Sequence, residues 1–269
     1  MSRIEEALNR AAGMGSVKIE SRVEPARASA SRRTLDNSLN TPVSPLLEET
    51  MVVINEPLSP AAEEYRKLKE FVVKSTCKDR FENLIAITSC TSGEGKSMTA
   101  VNLAASLASE YDHTVLLVDA DLRRPTVHKY LQLGPSRGLS DCLKDGGDIA
   151  DVLIKTGIGK LSVLPAGTPI SNPVEYFTSD AVHQLFHEIK NRYSDRYVII
   201  DTPPVLPFAE TRTIARIADW TLLVVREEGP SLEQVHDAVE ALGNKVLGVV
   251  YNGTHRSLGS SYYYSSYAE

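Results

Sequence analysis

Long apolar runs are missing from this chain. No stretch approaches the roughly 18 consecutive apolar residues of a membrane-spanning helix, so the sequence is expected to carry no transmembrane segment of its own. Its first residues, Met1-Ser2-Arg3-Ile4-Glu5-Glu6, lack the apolar centre of a secretory signal. Cysteine is scarce. Cys77, Cys90 and Cys142 are odd in number and widely spaced, which excludes a disulfide framework and a cysteine-rich metal site. Free thiols in a reducing cytoplasm are the expectation. Basic charge is not in excess either: 29 Lys and Arg face 35 Asp and Glu, a net charge of −6. That speaks against a nucleic-acid-binding surface, which would concentrate positive charge.

What is there has the composition of an ordinary globular protein, with 42 % hydrophobic and 24 % charged residues. The 269 residues suffice for one large α/β domain or two small ones. Residues 2–12 carry Ile4, Leu8, Ala11 and Ala12 on one side of a short amphipathic pattern, which reads equally as a docking helix or a fraying terminus. From Gly13 to about Thr50 there are no aromatics, many Ser, Ala and Arg, and Pro25, Pro42 and Pro45. Such a segment buries too little apolar surface to offset its entropy and reads as a disordered linker. Pro60 to Val72 reads as a helix, with Pro60 in its first turn and Tyr65, Leu68 and Val72 as a buried stripe. Glu63, Arg66 and Lys69 recur on another side. On spacing alone, a solvated face with weak internal pairs is favoured over a subunit contact.

An alternation of strands and helices follows. Strands are expected at Leu84–Thr88, Val115–Asp119, Leu161–Leu164, Tyr197–Asp201, Thr221–Val225 and Val246–Tyr251. Helices are expected at 97–109, 180–192, 209–217 and 231–242, with short helical pieces near 125–131, 139–144 and 148–155. Near-continuous Val/Ile/Leu strands imply a mostly parallel, doubly wound sheet covered on both faces. The last stretch, Leu258–Glu269, has no apolar stripe yet holds Tyr262, Tyr263, Tyr264 and Tyr267, four of the eleven tyrosines. A packed aromatic strand is one reading. A flexible tail with exposed tyrosines fits the turn-like flanks better. The expected layout is 1–50 for the helix and linker, 51–257 for the folded domain and 258–269 for the tail.

The chemistry centres on Ser89-Cys90-Thr91-Ser92-Gly93-Glu94-Gly95-Lys96-Ser97, set between a strand and a small-residue helix starting near Met98. This is the setting of a P-loop: glycines let backbone N–H groups turn towards phosphate, the helix N-terminus adds its dipole, Lys96 reaches the terminal phosphates and Ser97 ligates Mg²⁺. The full pattern has a glycine where Cys90 stands, so the loop is a degenerate Walker A. One strand ends in Asp119-Ala120-Asp121-Leu122-Arg123-Arg124 and another in Asp201-Thr202-Pro203-Pro204. Ligands bind at the carboxyl ends of parallel strands, so these carboxylates should meet the P-loop. Asp201 with Ser97 suits Mg²⁺. The Asp119–Asp121 pair would polarise a water in an ATPase or accept a hydroxyl proton in a kinase. Arg123 and Arg124 would pair with phosphate or a neighbouring subunit, and Asn252 would hydrogen-bond the base or be an ordinary turn residue.

Together, the degenerate Walker A, the strand-Asp-x-Asp-x-Arg motif, the Asp-Thr-Pro-Pro motif and the terminal tyrosines resemble the bacterial tyrosine kinases (BY-kinases), a branch of the deviant-Walker P-loop ATPases. The resemblance spans about Pro60 to Glu269. It looks especially close to the autokinases linked to exopolysaccharide export and to the exosortase-associated subgroup, whose N-terminus often begins much like Met1–Gly13. It implies that ATP is bound by Ser92, Gly93, Glu94, Gly95, Lys96, Ser97 and Met98, with Asn252 near the base. It implies Lys96, Asp119, Asp121 and Asp201 as catalytic groups, Ser97, Asp119 and Asp201 around Mg²⁺, and Tyr262, Tyr263, Tyr264 and Tyr267 as autophosphorylation acceptors. The family's subunit-contact motif, Glu-x-x-Arg-x-x-Arg, reads Glu63-x-x-Arg66-x-x-Lys69, which turns the reading of that face towards a contact; lysine lacks the bidentate fork. A homo-oligomeric ring, trans phosphorylation, and a separate transmembrane polysaccharide co-polymerase that recruits a cytoplasmic kinase to the inner face of the plasma membrane are further implications. The alternative is a ParA/MinD-like switch ATPase acting by dimerisation at membrane or DNA. Its signature lysine would stand at Thr91, and the tail tyrosines would have no role.

Overall fold

The computed structural model describes residues 50–77, 80–110, 112–192 and 195–254. The expected N-terminal helix and linker and the tyrosine tail lie outside them. The Val/Ile/Leu runs form strands β1 (Leu84–Ser89), β2 (Thr114–Asp119), β3 (Ile154–Lys155), β4 (Leu161–Leu164), β5 (Arg196–Asp201), β6 (Trp220–Arg226) and β7 (Val246–Asn252). They make one sheet of order β3-β4-β2-β5-β1-β6-β7. All neighbours run parallel except β3, which pairs antiparallel with β4 at the edge. Residues 148–155 are therefore not the helical piece expected. Only Ile149–Asp151 forms a 3₁₀ turn, and Ile154–Lys155 turn back on β4 because Gly157 and Gly159, both at positive φ, reverse the chain between them.

Alternate residues of each strand feed opposite layers. In β1, Ile85 and Ile87 join one core while Leu84 and Ala86 join the other. Burying each such aliphatic side chain stabilises by about 1.5–3 kcal/mol. The first layer is built on α1 (Val52–Asn55), α2 (Pro60–Thr76), α3 (Lys96–Ala108) and α4 (Val127–Tyr130). The other face is covered by α5 (Leu139–Asp145), α6 (Pro173–Phe177), α7 (Asp180–Asn191), α8 (Ala209–Ile217) and α9 (Leu232–Leu242). Ala100, Ala104, Ala105 and Ala108 let α3 lie close to the sheet, and they are all buried. The Ser59 hydroxyl caps α2 by accepting from the Ala62 N–H at 3.1 Å, with Pro60 in the first turn. That helix runs past Val72 to Thr76, whose buried hydroxyl donates to the Val72 carbonyl and pairs with the Tyr197 hydroxyl at 2.9 Å. Short α1 and α6 have no periodic signature in the sequence.

Candidate active site

β1 runs straight into the P-loop and α3. Gly95 stands at the head of α3 with φ +92°, and a Cβ there would lie 2.1 Å from Asn252 Nδ2. Both its backbone and its neighbour require glycine. Asn252, at the end of β7, donates its Nδ2 to the Glu94 carbonyl at 2.9 Å. The buried Glu94 carboxylate accepts from the Thr91 N–H, from the Thr91 hydroxyl at 2.9 Å and from the Arg226 N–H at 3.4 Å. The ends of β6 and β7 thus brace the loop. Ser92 and Gly93 are exposed and open onto a cavity of about 310 Å³ shared with Arg226–Gly229. The Met98 side chain lies against the same glycine, and its carbonyl accepts from Asn102 Nδ2 at 3.0 Å. Cys90, at the missing glycine, is fully buried among Val205, Leu223 and Val225. Burial and then Glu94 push its thiol up to about 11, which keeps it protonated at neutral pH.

The aspartate motifs reach the same edge of the sheet. Asp119 and Asp201 are direct register partners on β2 and β5, and Ile87 of β1 faces Asp201 from the other side. Lys96 Nζ lies 2.9 Å from Asp121 Oδ2, 3.7 Å from Asp201 Oδ1 and 3.2 Å from Ser97 Oγ. The sequence-assigned catalytic set is therefore brought together. Asp119 accepts from the Asp121 N–H at 3.2 Å and the Val127 N–H at 3.1 Å, which fixes its orientation. Burial, and then neighbouring Asp201, hold the Asp119 carboxyl well above the usual carboxylate range. Burial also raises Asp201, against the pull of Lys96. Burial lowers the affinity of Lys96 for its proton, but Asp201 and Asp121 together outweigh that and raise it. Both carboxylate oxygens of the fully buried Asp201 lack a hydrogen bond among the described residues. A buried carboxylate without a hydrogen bond, close to Lys96 and a serine hydroxyl, offers the hard oxygens that Mg²⁺ takes.

The other residues named from the sequence lie around this set. Asn252 holds the loop through one hydrogen bond to the Glu94 carbonyl. Arg123 pairs through Nε with buried Glu210 on α8, and its guanidinium lies 4.8 Å from the Phe208 ring centroid. It thereby ties the Asp119–Asp121 loop to the segment that follows Asp201. No spacing rule marks Glu210, an acidic residue in a helical first turn that reads as a dipole partner. On α2, Arg66 pairs with Glu63 at 2.5 Å and donates to the Pro57 carbonyl at 2.7 Å. Lys69 pairs with Glu110 beyond α3 at 2.6 Å. All three residues of the stripe are half-buried; Arg66 is held within the α2 region and Lys69 reaches across to Glu110. The tail tyrosines are outside the described residues.

Comparison with known proteins shows where this geometry belongs. A family described as AAA domain matches residues 82–246. Tyrosine-protein kinase YwqD of Bacillus subtilis (strain 168) is 34 % identical over 221 residues, 81 % of this chain and 92 % of that one. This chain belongs to the bacterial tyrosine-kinase family. Tyrosine-protein kinase CpsD of Streptococcus agalactiae is 32 % identical over 190 residues, 69 % of this chain and 82 % of that protein. Among solved structures, the kinase domain of Escherichia coli tyrosine kinase ETK superposes with a TM-score of 0.70 at 28 % identity, covering 76 % of this BY-kinase and 80 % of that chain. The chimerical protein CapA2B2 gives 0.69 at 34 %, covering 75 % and 88 %. A ParA family ATPase from Chlorobium tepidum TLS, with a TM-score of 0.51 at 22 % identity, shares the fold alone. No described helix of this BY-kinase is long and apolar enough to cross a membrane.

Proposed function

We propose that this tyrosine kinase transfers the γ-phosphoryl group of ATP to the tyrosines of its own tail, one copy acting on another. The observation that carries the reading is the convergence of Lys96 with Asp121 and Asp201, beside Asp119, at the P-loop. In the proposed step a tail tyrosyl oxygen attacks the γ-phosphorus. The bond from that phosphorus to the β,γ-bridging oxygen breaks, ADP departs with the electron pair, and the phenolic proton passes to Asp119. Asp119 is held in place for this task by the Asp121 and Val127 N–H groups. Lys96 leaves Asp121 for the phosphates, and the N–H groups of Ser92–Ser97 line the cradle. Ser97, Asp201 and Asp119 would hold Mg²⁺, which when bound neutralises charge on the phosphates. Glu63 and Arg66 would contact a neighbouring copy in a ring.

The wider reading is a kinase that regulates exopolysaccharide synthesis or export. A separate transmembrane polysaccharide co-polymerase would recruit it to the inner face of the plasma membrane. The support is the motif resemblance, the family membership and the absence of a membrane-length helix among the described residues. The test is tyrosine-resolved mass spectrometry on the full chain after phosphatase treatment and then Mg²⁺-ATP, with and without a cytoplasmic fragment of such a partner. Phosphate should return to Tyr262, Tyr263, Tyr264 or Tyr267 and fall at least a hundredfold in Lys96→Met. Nucleotide binding without phosphotyrosine in either arm would overturn the reading.

A further inference from the structure

The phosphate cradle and the strand-end carboxylates are braced from different sides. The cradle is held by the ends of β6 and β7, through the Arg226 N–H on the Glu94 carboxylate and Asn252 on the Glu94 carbonyl. Asp119, Asp121 and Asp201 are held by another set of contacts, which joins the segments that follow β2 and β5. The first is backbone: the Ala120 N–H donates to the Asp201 carbonyl at 2.8 Å. Further along, the β5 segment is clamped at Pro203, whose carbonyl accepts from the Thr88 and Thr211 hydroxyls, each at 2.8 Å. Thr211 adjoins Glu210 on α8, so the start of α8 is fixed to the residues just after Asp201. On the β2 side, the Arg124 N–H holds Asp121 Oδ1 at 3.0 Å, and the neighbouring Arg123 side chain crosses to α8. Its Nε donates to Glu210 Oε1, and its guanidinium lies over the Phe208 ring.

This pair is poorly built for stability alone. Glu210 is fully buried, yet its Oε2 has no hydrogen bond among the described residues, and the Arg123 side chain is 29 % exposed. Apolar side chains of similar volume fill such a place as well or better. What a charge-assisted hydrogen bond does supply is a fixed distance and direction between two backbones. Transfer chemistry is sensitive to both: a displacement of about 1 Å at a reacting group costs on the order of a hundredfold in rate.

Resting on the metal and transfer roles proposed for Asp119 and Asp201, we infer that Arg123 and Glu210 are a positioning pair. They hold the residues after β2 in register with those after β5, so that Asp119 and Asp201 can face one divalent cation. They act through these carboxylates and take no part in holding phosphate. The consequence is selective. Nucleotide without metal binds independently of the pair, because the cradle has its own brace at β6 and β7. The affinity that Mg²⁺ adds, and the rate of transfer, both depend on it.

The test compares the full chain with Arg123→Met, with Arg123→Met/Glu210→Met and with Glu210→Gln. Three quantities are measured: Tm, the affinity for a fluorescent ADP in EDTA and in Mg²⁺, and the self-phosphorylation rate at saturating Mg²⁺-ATP. Arg123→Met leaves a buried carboxylate uncompensated and should lower Tm; the double variant removes both charges and should recover it. In that recovered protein the rate and the Mg²⁺-dependent gain in ADP affinity should each stay down by roughly tenfold or more, with ADP affinity in EDTA unchanged. Glu210→Gln keeps an oxygen for Arg123 Nε and should stay within about threefold of the natural chain in both. A double variant that recovers rate and Mg²⁺ gain together with Tm would make the pair a packing element and overturn the inference. Equal loss of ADP affinity with and without Mg²⁺ would overturn it too, by assigning the pair to the cradle. Should the double variant fail to fold, Arg123→Lys keeps a cation for Glu210 without the planar group over Phe208. It should show the same split between EDTA and Mg²⁺, and a natural rate with a natural Mg²⁺ gain there would refute the pair's role. An unsubstituted chain that neither gains ADP affinity from Mg²⁺ nor phosphorylates itself would instead overturn the underlying reading of the site, and this inference with it.

Discussion

Asp201 is fully buried, bears no hydrogen bond among the described residues and faces a second carboxylate across one sheet rung. A charge in that position costs stability in the nucleotide-free protein, which suits the metal-binding role proposed for it. Asp201→Asn should therefore raise the stability of the nucleotide-free chain at pH 7 by about 1 kcal/mol, roughly 2–4 °C in Tm, while tail phosphorylation is lost. Lys96 keeps its Asp121 partner at 2.9 Å in that variant, so no new unpaired cation offsets the gain. A lowered Tm by calorimetry would contradict this account. Cys90 shows the opposite economy: at a position where phosphate loops carry glycine, a buried thiol fills space between β1 and the β6 layer.

At the scale of elements, α2 divides its polar stripe between two tasks. Arg66 pairs with Glu63 along the helix, whereas the Lys69 ammonium pairs with Glu110. A partly screened pair of the latter kind contributes on the order of 1 kcal/mol. Lys69→Ala should lower stability by no more than that and leave the sedimentation profile unchanged. Arg66→Ala should weaken self-association at least fivefold, about 1 kcal/mol, by sedimentation velocity. Equal effects of the two substitutions would show that the stripe acts as a unit. The α2 start is simpler: Ser59→Ala removes one cap acceptor and should cost about 1 kcal/mol.

For the whole molecule, the fold was legible because parallel strands covered on both faces are continuous Val/Ile/Leu runs, and six of the seven appear as such in the sequence. β3 was not legible: two residues have no period, and its pairing depends on glycine turns flanking β4. That the candidate catalytic residues would meet was legible because their carboxylates come from strand ends. What sequence could not reveal are partnerships made between elements far apart in the chain. Glu94 meets Arg226, Arg123 meets Glu210, Asn252 meets the loop and Lys69 meets Glu110 only once the sheet is assembled. The same assembly sets how the protein responds to pH. Asp119 and Asp201 have folded-state values above their unfolded ones. Their stabilising contribution is thus fully present below the ordinary carboxylate value of about 3.9 and is lost as pH rises through their raised values. In that window the nucleotide-free protein should become less stable with rising pH, measured by denaturant unfolding.

Three carboxylates crowd a single ammonium at the head of the sheet. Two of them hold protons more tightly than a solvated carboxylate does. A divalent ion can take its place among them only by displacing whatever protons remain. On the proposed reading, loading of the nucleotide would then also be an acid release, with the solvent as the second party to the exchange. Titration calorimetry of Mg²⁺-ATP into the full chain at pH 6 should give heats that change with the ionisation enthalpy of the buffer. With Asp201→Asn that dependence should shrink. Heats identical in buffers of high and low ionisation enthalpy would mean that the carboxylates are already bare before the ligand arrives.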